Sequence, residues 1–360
     1  MKRRHLLQLG AGFSAFTLLR ALSEQASTAM GARKLFVLLE LRGGNDGTNT
    51  LIPHADDLYL QARPRLAVRD GPLLSSSLML HPALAPLMPA WRRQRLAFAL
   101  GVGWSRPNRS HFFAMDQWST GRLDGEGPGW VADAFSTRGA GGAHLLALGP
   151  TGSMALEGGE VPCLQMSPAQ LDRQKLTNLD PDRAGTNLTL RRMLELEQAG
   201  AREFRRLLQA LGPVPKGLKL PGGSLGQQVG LALRLIASGL APPALAMSQG
   251  GFDTHQNQPR RHGAVLGRVA EALASFDEGL QRIPRRPQVT VLVTSEFGRR
   301  LRENGSQGTD HGSASLALLM GDHVPHPFLG NYPSLSRLDE RGDLIPSMAP
   351  PTLYRKALEL

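Results

Sequence analysis

Short apolar runs alternate with amphipathic stretches along most of this chain. Six runs carry few charges and end abruptly in glycine or polar residues, as buried parallel strands do. They are Lys34–Leu41, Leu96–Val102, His144–Leu148, Ala244–Ser248, Val289–Ser295 and Leu316–Met320. Apolar residues at helical spacing occur between them, in Leu188–Leu211, Leu225–Leu240 and Ala264–Leu280. This alternation predicts an α/β fold with a largely parallel central sheet and helices on both faces.

Two stretches, Leu58–Ser77 and Pro213–Gly223, lack a clear period and are interpreted as loops or surface insertions. More informative are the polar clusters that directly follow four predicted strands. They are Gly44–Asp46, Asn108–His111, Gly251–His255 and Glu296–Arg299. In open parallel sheets, ligand sites form outside the carboxyl ends of the strands. The clusters therefore predict a single site at that edge.

Length and composition narrow the class of protein. With 360 residues and 41% hydrophobic content, the chain can bury a large core in one large domain or two small ones. A net charge of +11 is compatible with nucleic-acid binding. The basic residues are spread out, however, and only 5% of residues are aromatic, so we expect no nucleic-acid partner. Cys163 is the only cysteine, which excludes an internal disulfide and a cysteine-based zinc site.

The first residues are typical of an export signal. Lys2-Arg3-Arg4 is followed by a largely apolar stretch from Leu6 to Leu22 and by small residues around Ala26 to Ala32. The paired arginines are similar to a twin-arginine signal. An ordinary secretion signal and an uncleaved anchor are the alternatives. We expect residues 1–32 to direct export, residues 33–360 to form the α/β domain, and no later segment to span a membrane stably, which predicts a periplasmic or otherwise exported protein.

Carboxylates and imidazoles in the glycine-flanked loops are the candidate metal ligands. Carboxylate oxygen together with imidazole nitrogen suits zinc, manganese or a similar divalent ion. The candidates are Asp46, Asp253, His255, Glu296, Asp310 and His311. In Asp253-x-His255 the two side chains face the same way on an extended segment. A lone aspartate in a glycine loop is more often a turn former, and that alternative stays open for Asp46.

Ser110 is the candidate nucleophile, because it follows a predicted strand and precedes a segment, His111 to Trp118, with helical character. A hydroxyl at a helix N-terminus faces N–H groups that favour anionic transition states. A helix-capping role is equally compatible with its position. Arg109 and Arg299 are candidate clamps for an anionic group. The sequence has neither a G-x-S-x-G elbow nor a Walker loop, which excludes the usual serine esterase and nucleotide-binding patterns.

Five motifs together resemble the DUF1501 family of uncharacterised bacterial proteins. They are Leu41–Gly47, Arg109–Phe112, Gly250–His255, Thr294–Arg299 and Asp310–Gly312. That family is similar to the alkaline phosphatase and sulfatase superfamily. The resemblance implies a three-layer sandwich, one or two divalent metal ions, and Ser110 as nucleophile with Thr120-Gly121 after it. Phe297 stands where the superfamily has a second-metal histidine, with His262 as a spare ligand.

The resemblance implies an exported metal-dependent hydrolase of phosphate or sulfate esters, acting on an anionic small molecule or a glycan ester. The alternative is a non-catalytic exported protein that keeps a degenerate metal site for binding or assembly. A partner protein encoded nearby is also implied by the resemblance.

Overall fold

The computed structural model describes residues 34–137, 144–168, 181–195, 198 and 209–360. The predicted export segment, residues 1–32, lies outside these ranges, and the predicted helix Leu188–Leu211 lies partly outside them. Residues 188–195 are helical. Within the described ranges, no helix is both long enough and apolar enough to cross a bilayer.

An eight-stranded sheet forms the centre of the described structure, with the strand order β10-β4-β9-β8-β1-β7-β5-β6. Its strands are β1 (Lys34–Leu41), β4 (Leu96–Val102), β5 (Leu145–Ala147), β6 (Cys163–Gln165), β7 (Ala244–Gln249), β8 (Gln288–Ser295), β9 (Ser315–Gly321) and β10 (Phe328–Leu329). Two short strands, β2 (Leu51–Ile52) and β3 (Met79–Leu80), pair separately. In the large sheet β9 runs antiparallel to both of its neighbours, β4 and β8, whereas the other described pairings are parallel.

Helices cover both faces of this sheet. They are α1 (Gly47–Thr50), α2 (Asp57–Ala62), α3 (Met88–Arg92), α4 (His111–Thr120), α5 (Trp130–Thr137), α6 (Gly223–Ala237), α7 (Gln258–Gln281) and α8 (Pro350–Glu359). Apolar residues of α6 and α7 join the core on one face, and those of α4, α5 and α8 join the core on the other. The predicted α/β architecture is therefore confirmed.

The central strand β1 shows how the sequence produces these layers. Leu35, Val37 and Leu39 belong to one core and Phe36 and Leu38 to the other, because successive side chains of a strand point to opposite faces. A strand buried on both faces needs a continuous apolar run rather than an alternating one. Each fully buried side chain of this kind contributes roughly 1.5–3 kcal/mol to folding.

The strand directions bring several loops to one edge of the sheet. The carboxyl ends of β1, β4, β7 and β8 lie at this edge because these strands run parallel to one another. Since β9 runs the opposite way, its first residue, Ser315, also lies there. The segment just before β9 therefore meets the loops that follow the parallel strands.

Candidate metal centre

Three histidines surround the carboxylate of Asp253 at this edge. His111 is the first residue of α4, Asp253 and His255 follow β7, and His311 precedes β9. Asp253 Oδ1 lies 3.0 Å from His255 Nε2 and 3.3 Å from His311 Nε2, and its Oδ2 lies 3.6 Å from His111 Nε2. The Nε2 atoms of His255 and His311 are 2.8 Å apart. We call His111, Asp253, His255 and His311 the histidine cluster.

The other ring nitrogen of each histidine faces an oxygen acceptor. Nδ1 of His111 lies 2.5 Å from Glu296 Oε1, and Nδ1 of His255 lies 3.2 Å from Asp310 Oδ1. Nδ1 of His311 lies 2.7 Å from the carbonyl oxygen of Arg109. Since ionised carboxylates and carbonyls only accept, each Nδ1 donates its hydrogen. In the neutral rings the Nε2 lone pairs then all point into the cluster, which is the arrangement that metal-binding histidines have.

Hydrogen bonds keep Asp253 ionised. Desolvation alone would raise the pKa of this carboxyl, but the hydrogen bond from Arg299, the contact with the His311 ring and the nearby Arg299 charge lower it to about 2. Burial, followed by the charge of Arg299, lowers the pKa of His311. An ionised carboxylate and a neutral imidazole are the forms in which Asp253 and His311 can bind a divalent cation.

Arg299 is buried, and its guanidinium is bonded to protein acceptors. It donates to Asp253 Oδ1 at 2.7 Å and to four backbone carbonyl oxygens, those of Gly43, Gly44, Phe252 and Thr309. Only 1% of the residue is exposed. The predicted role as a clamp for a substrate anion has no support in this geometry. Arg299 instead orients Asp253 and ties three loops together.

Phe297 forms an apolar wall of the cluster. Its ring centroid lies 5.1 Å from that of His111 and 4.4 Å from that of His311. Gly44 makes this packing possible, since a Cβ on Gly44 would lie 2.1 Å from Phe297 Cε2 and the backbone there has a φ of +76°. The phenyl ring offers no metal ligand, and among the described residues the group that could hold an ion here is His111, Asp253 and His311.

Asp46, predicted as a metal ligand, is not brought to the cluster. Its Oδ2 lies 2.5 Å from Arg63 Nη1 and 2.5 Å from Gln258 Nε2, and its Oδ1 accepts from the Asn49 backbone at 3.2 Å. Burial alone would raise the pKa of Asp46, but the Arg63 guanidinium more than offsets this and the pKa is lowered. Asp46 therefore serves a buried ion pair, and it also caps α1.

The spare ligand His262 also lies elsewhere. It is buried in α7, and its Nε2 lies 2.9 Å from Asn45 Oδ1. Burial lowers its pKa to about 3. His262 is thus a neutral core histidine with a hydrogen-bonded partner.

Ser110 directly precedes α4, and the cluster residue His111 follows it in the chain. Among the described residues of this helix, none accepts or donates a capping hydrogen bond with the Ser110 side chain. The exposed hydroxyl is therefore not used as a cap. The guanidinium of Arg109 forms an ion pair with Asp343, so it is partly neutralised within the protein. The backbone carbonyl of Arg109 accepts a hydrogen bond from His311.

Two residues that matter here carry little signal in the sequence. His111 lies inside the motif Arg109–Phe112, but its position there indicates only the beginning of a helix. Arg63 lies in a stretch without hydrophobic periodicity, and a lone arginine there gave no signal. Conversely Glu296, predicted as a ligand, holds His111 and accepts from the Gly43 backbone at 2.9 Å.

Comparison with known proteins gives a family match and several weak structural similarities. The model of the family described as "Protein of unknown function (DUF1501)" matches residues 174–339. No curated protein matches the chain. A phosphonoacetate hydrolase from Sinorhizobium meliloti 1021 is 14% identical with a TM-score of 0.30; 75% of this chain and 57% of the hydrolase are covered. This chain thus spans little more than half of that enzyme.

Two further solved structures are similar at the same level. The C-terminal periplasmic domain of EcEptC from Escherichia coli, in complex with Zn, is 10% identical with a TM-score of 0.36, covering 81% of this chain and 74% of that domain. A protein in the alkaline phosphatase superfamily from Vibrio parahaemolyticus is 11% identical with a TM-score of 0.37, covering 87% of this chain and 70% of that protein.

Proposed function

We propose that this chain is an exported, metal-dependent hydrolase of phosphate or sulfate esters. One observation carries the proposal: three imidazoles turn Nε2 toward an ionised carboxylate while each Nδ1 donates to a fixed oxygen acceptor. Acceptor groups that converge on one partly exposed point repel one another unless a proton or a cation lies among them. A divalent cation held by the histidine cluster would satisfy all four.

The donor set fits one divalent ion. With Nδ1 protonated, His255 and His311 would oppose two lone pairs at 2.8 Å unless a proton or a cation lies between them. Zinc binds imidazole nitrogen at about 2.0–2.1 Å, so one ion can reach both nitrogens. One ligand atom each from His111, Asp253 and His311 lies within 4.8 Å of the others. The added carboxylate and third imidazole favour a cation over a proton.

When bound, such an ion would supply Lewis-acid stabilisation of the ester's nonbridging oxygens. The chain's own residues would do the rest. Ser110, at the N-terminus of the ten-residue helix α4, would attack phosphorus or sulfur. Free N–H groups of the first helical turn would favour the negative charge that develops. Attack by Ser110 would form a bond from its Oγ to phosphorus or sulfur and break the bond to the ester oxygen, which would leave as the alcohol with the serine proton. Water would then break the bond to Oγ, releasing phosphate or sulfate and returning a proton to Ser110.

Metal analysis of purified protein, combined with ester turnover, tests this proposal. We expect about one equivalent of zinc or manganese in the parent, loss of it in Asp253→Asn and His311→Gln, and retention in the control His262→Gln. Ser110→Ala should retain the metal and lose turnover of aryl phosphate or aryl sulfate. Absence of a bound divalent ion in the parent, or full turnover by Ser110→Ala, would contradict the proposal.

A non-catalytic binding or assembly protein is the second candidate. It is favoured by Phe297, which fills the second-metal position, and by Asp46, which is neutralised by Arg63. Stoichiometric metal binding without turnover of any phosphate or sulfate ester would support this candidate. A partner protein encoded nearby would then be the natural ligand to test by co-purification.

A further inference from the structure

A cavity of about 310 Å³ lies beside the histidine cluster, at the carboxyl ends of β1 and β8. Most of its wall is apolar. The apolar lining includes Leu38, Met115, Trp118, Trp130, Met154 and Ala155. Of these, Met154 is 38% exposed and marks the mouth, whereas Ala155 is buried and lies deeper. This volume is at the lower end of the range of known ligand pockets.

Helix α4 joins the cavity to the histidine cluster. His111 is its first residue, and Met115 and Trp118 follow at spacings of four and three, which places all three on one face. His111 reaches the cluster while Met115 and Trp118 line the cavity. Glu296 makes a second connection, because it lines the cavity and bonds His111. A ligand in the cavity would therefore lie next to the cluster.

The polar part of the wall contains two carboxyl groups and one cation. Strand register pairs Leu38 with Leu292 and Glu40 with Thr294, so Glu40 and Glu296 share the sheet face of Leu38. Burial raises the pKa of Glu40, which is paired with Arg42 at 3.0 Å. Arg42 is also bonded to the Gly152 carbonyl, and it is the one cation among the described lining residues. A second anion would therefore find no unpaired cation here, while an uncharged group would meet mainly apolar surface.

We propose that this cavity binds the organic part of the ester, and that this part is an uncharged aromatic or short alkyl alcohol rather than a sugar. This inference rests on the proposed function, in which the anionic phosphoryl or sulfuryl group lies at the histidine cluster. The enzyme would then select small apolar esters through the cavity and the charged group through the cluster. A glycan would leave its many hydroxyls against an apolar wall.

Binding of the free alcohol tests the cavity without depending on catalysis. 4-Nitrobenzyl alcohol is uncharged, and its nitroaromatic ring quenches tryptophan fluorescence, so Trp118 and Trp130 report its entry. We expect saturable quenching in the parent and in His311→Gln, and binding at least tenfold weaker in Ala155→Phe, which fills the cavity. Ala55→Phe, the same change at an exposed turn, should bind as the parent does.

A second variant tests the cavity in case Ala155→Phe does not fold. Met154→Trp obstructs the mouth from a partly exposed position and should weaken binding in the same direction. Equal binding by the parent, Ala155→Phe and Met154→Trp, with thermal unfolding showing that both variants are folded, would overturn the inference, as would the absence of saturable quenching in the parent.

Turnover separates this inference from the proposed function. We expect KM for 4-nitrobenzyl phosphate at least tenfold below that for methyl phosphate in the parent, with the difference lost in Met154→Trp. Binding of the alcohol without turnover of either ester would sustain the cavity assignment and refute the hydrolase. Turnover of both esters with equal KM would sustain the hydrolase and refute the cavity's role.

Discussion

The buried pair of Asp46 and Arg63 should be a large contributor to stability, and Arg63→Met tests this. Both side chains are 0% exposed, and the substitution leaves the carboxylate without its cation. Arg63 also donates to the carbonyl oxygens of Leu301 at 2.8 Å and Arg300 at 2.9 Å, which would lose these bonds. Removing one partner of a buried ion pair costs about 3–5 kcal/mol. We expect a loss of at least about 4 kcal/mol, because the carbonyls add to this cost.

The difference in free energy of unfolding between the parent and Arg63→Met should depend on pH. In the parent, the pKa of Asp46 is lowered, so the pair stabilises the fold above the ordinary carboxyl pKa and loses this contribution as pH falls. In Arg63→Met, burial without a cation raises the pKa of Asp46 above its unfolded value. The variant is then penalised most at high pH, and its deficit relative to the parent should shrink from pH 8 to pH 5.

Urea denaturation of both proteins at pH 8 and pH 5 measures this effect. The double variant Asp46→Leu/Arg63→Met is the control, since replacing both partners by apolar residues removes the unpaired charge and should recover much of the stability. An Arg63→Met protein as stable as the parent at pH 8 would refute the reasoning. Loss of bound metal in the folded double variant would also do so, by assigning Asp46 to the metal centre.

Three further outcomes follow from single contacts. Burial lowers the pKa of His262 to about 3, so below pH 6.5 the unfolded chain binds a proton that the folded protein excludes. The free energy of unfolding of the parent, measured with urea, should therefore fall by about 2 kcal/mol between pH 6.5 and pH 5. In His262→Gln it should fall less. Gly44→Ala should lower the melting temperature, because the new Cβ would lie 2.1 Å from the Phe297 ring, and Phe297→Ala should partly restore it. Equal melting temperatures of Gly44→Ala and the parent would contradict the close approach. Glu296→Gln should weaken metal affinity in competition with a chelator by about 10–100-fold, because it withdraws the charge that orients His111; unchanged affinity would remove Glu296 from the support of the cluster.

The strands could be predicted because a strand buried on both faces needs a continuous run of apolar residues, which is visible in the sequence. The runs Lys34–Leu41 and Leu96–Val102 coincide with β1 and β4, and the other four predicted strands are present within two residues at either end. The short strand β10 was not predicted, since Phe328 and Leu329 are too few to show a period. Helix α2 was not predicted either, because most of it lies in Leu58–Ser77, a stretch interpreted as a loop or surface insertion.

The site could be predicted only as far as strand direction determines it. Asp253, His255, Asp310 and His311 meet because the ends of β7 and β8 and the beginning of β9 share an edge. Sequence position could not show that Arg63 returns to neutralise Asp46, because that contact depends on tertiary packing across the loops. It could not show either that Glu296 faces an imidazole nitrogen, since side-chain partners are set by the geometry of neighbouring loops.

The central position of β1 has a consequence for the order in which the chain folds. Leu38 pairs with Ala246 on one side and with Leu292 on the other, so β1, the first of the described strands to be synthesised, has both partners far later in the chain. Pairing of such distant segments is slow, because a long loop must close before any contact rewards it. Until β7 and β8 emerge, the apolar run from Lys34 to Leu41 has neither neighbour and is a site for aggregation. Chaperone protection during synthesis would therefore matter most for a segment that later lies at the centre of the sheet.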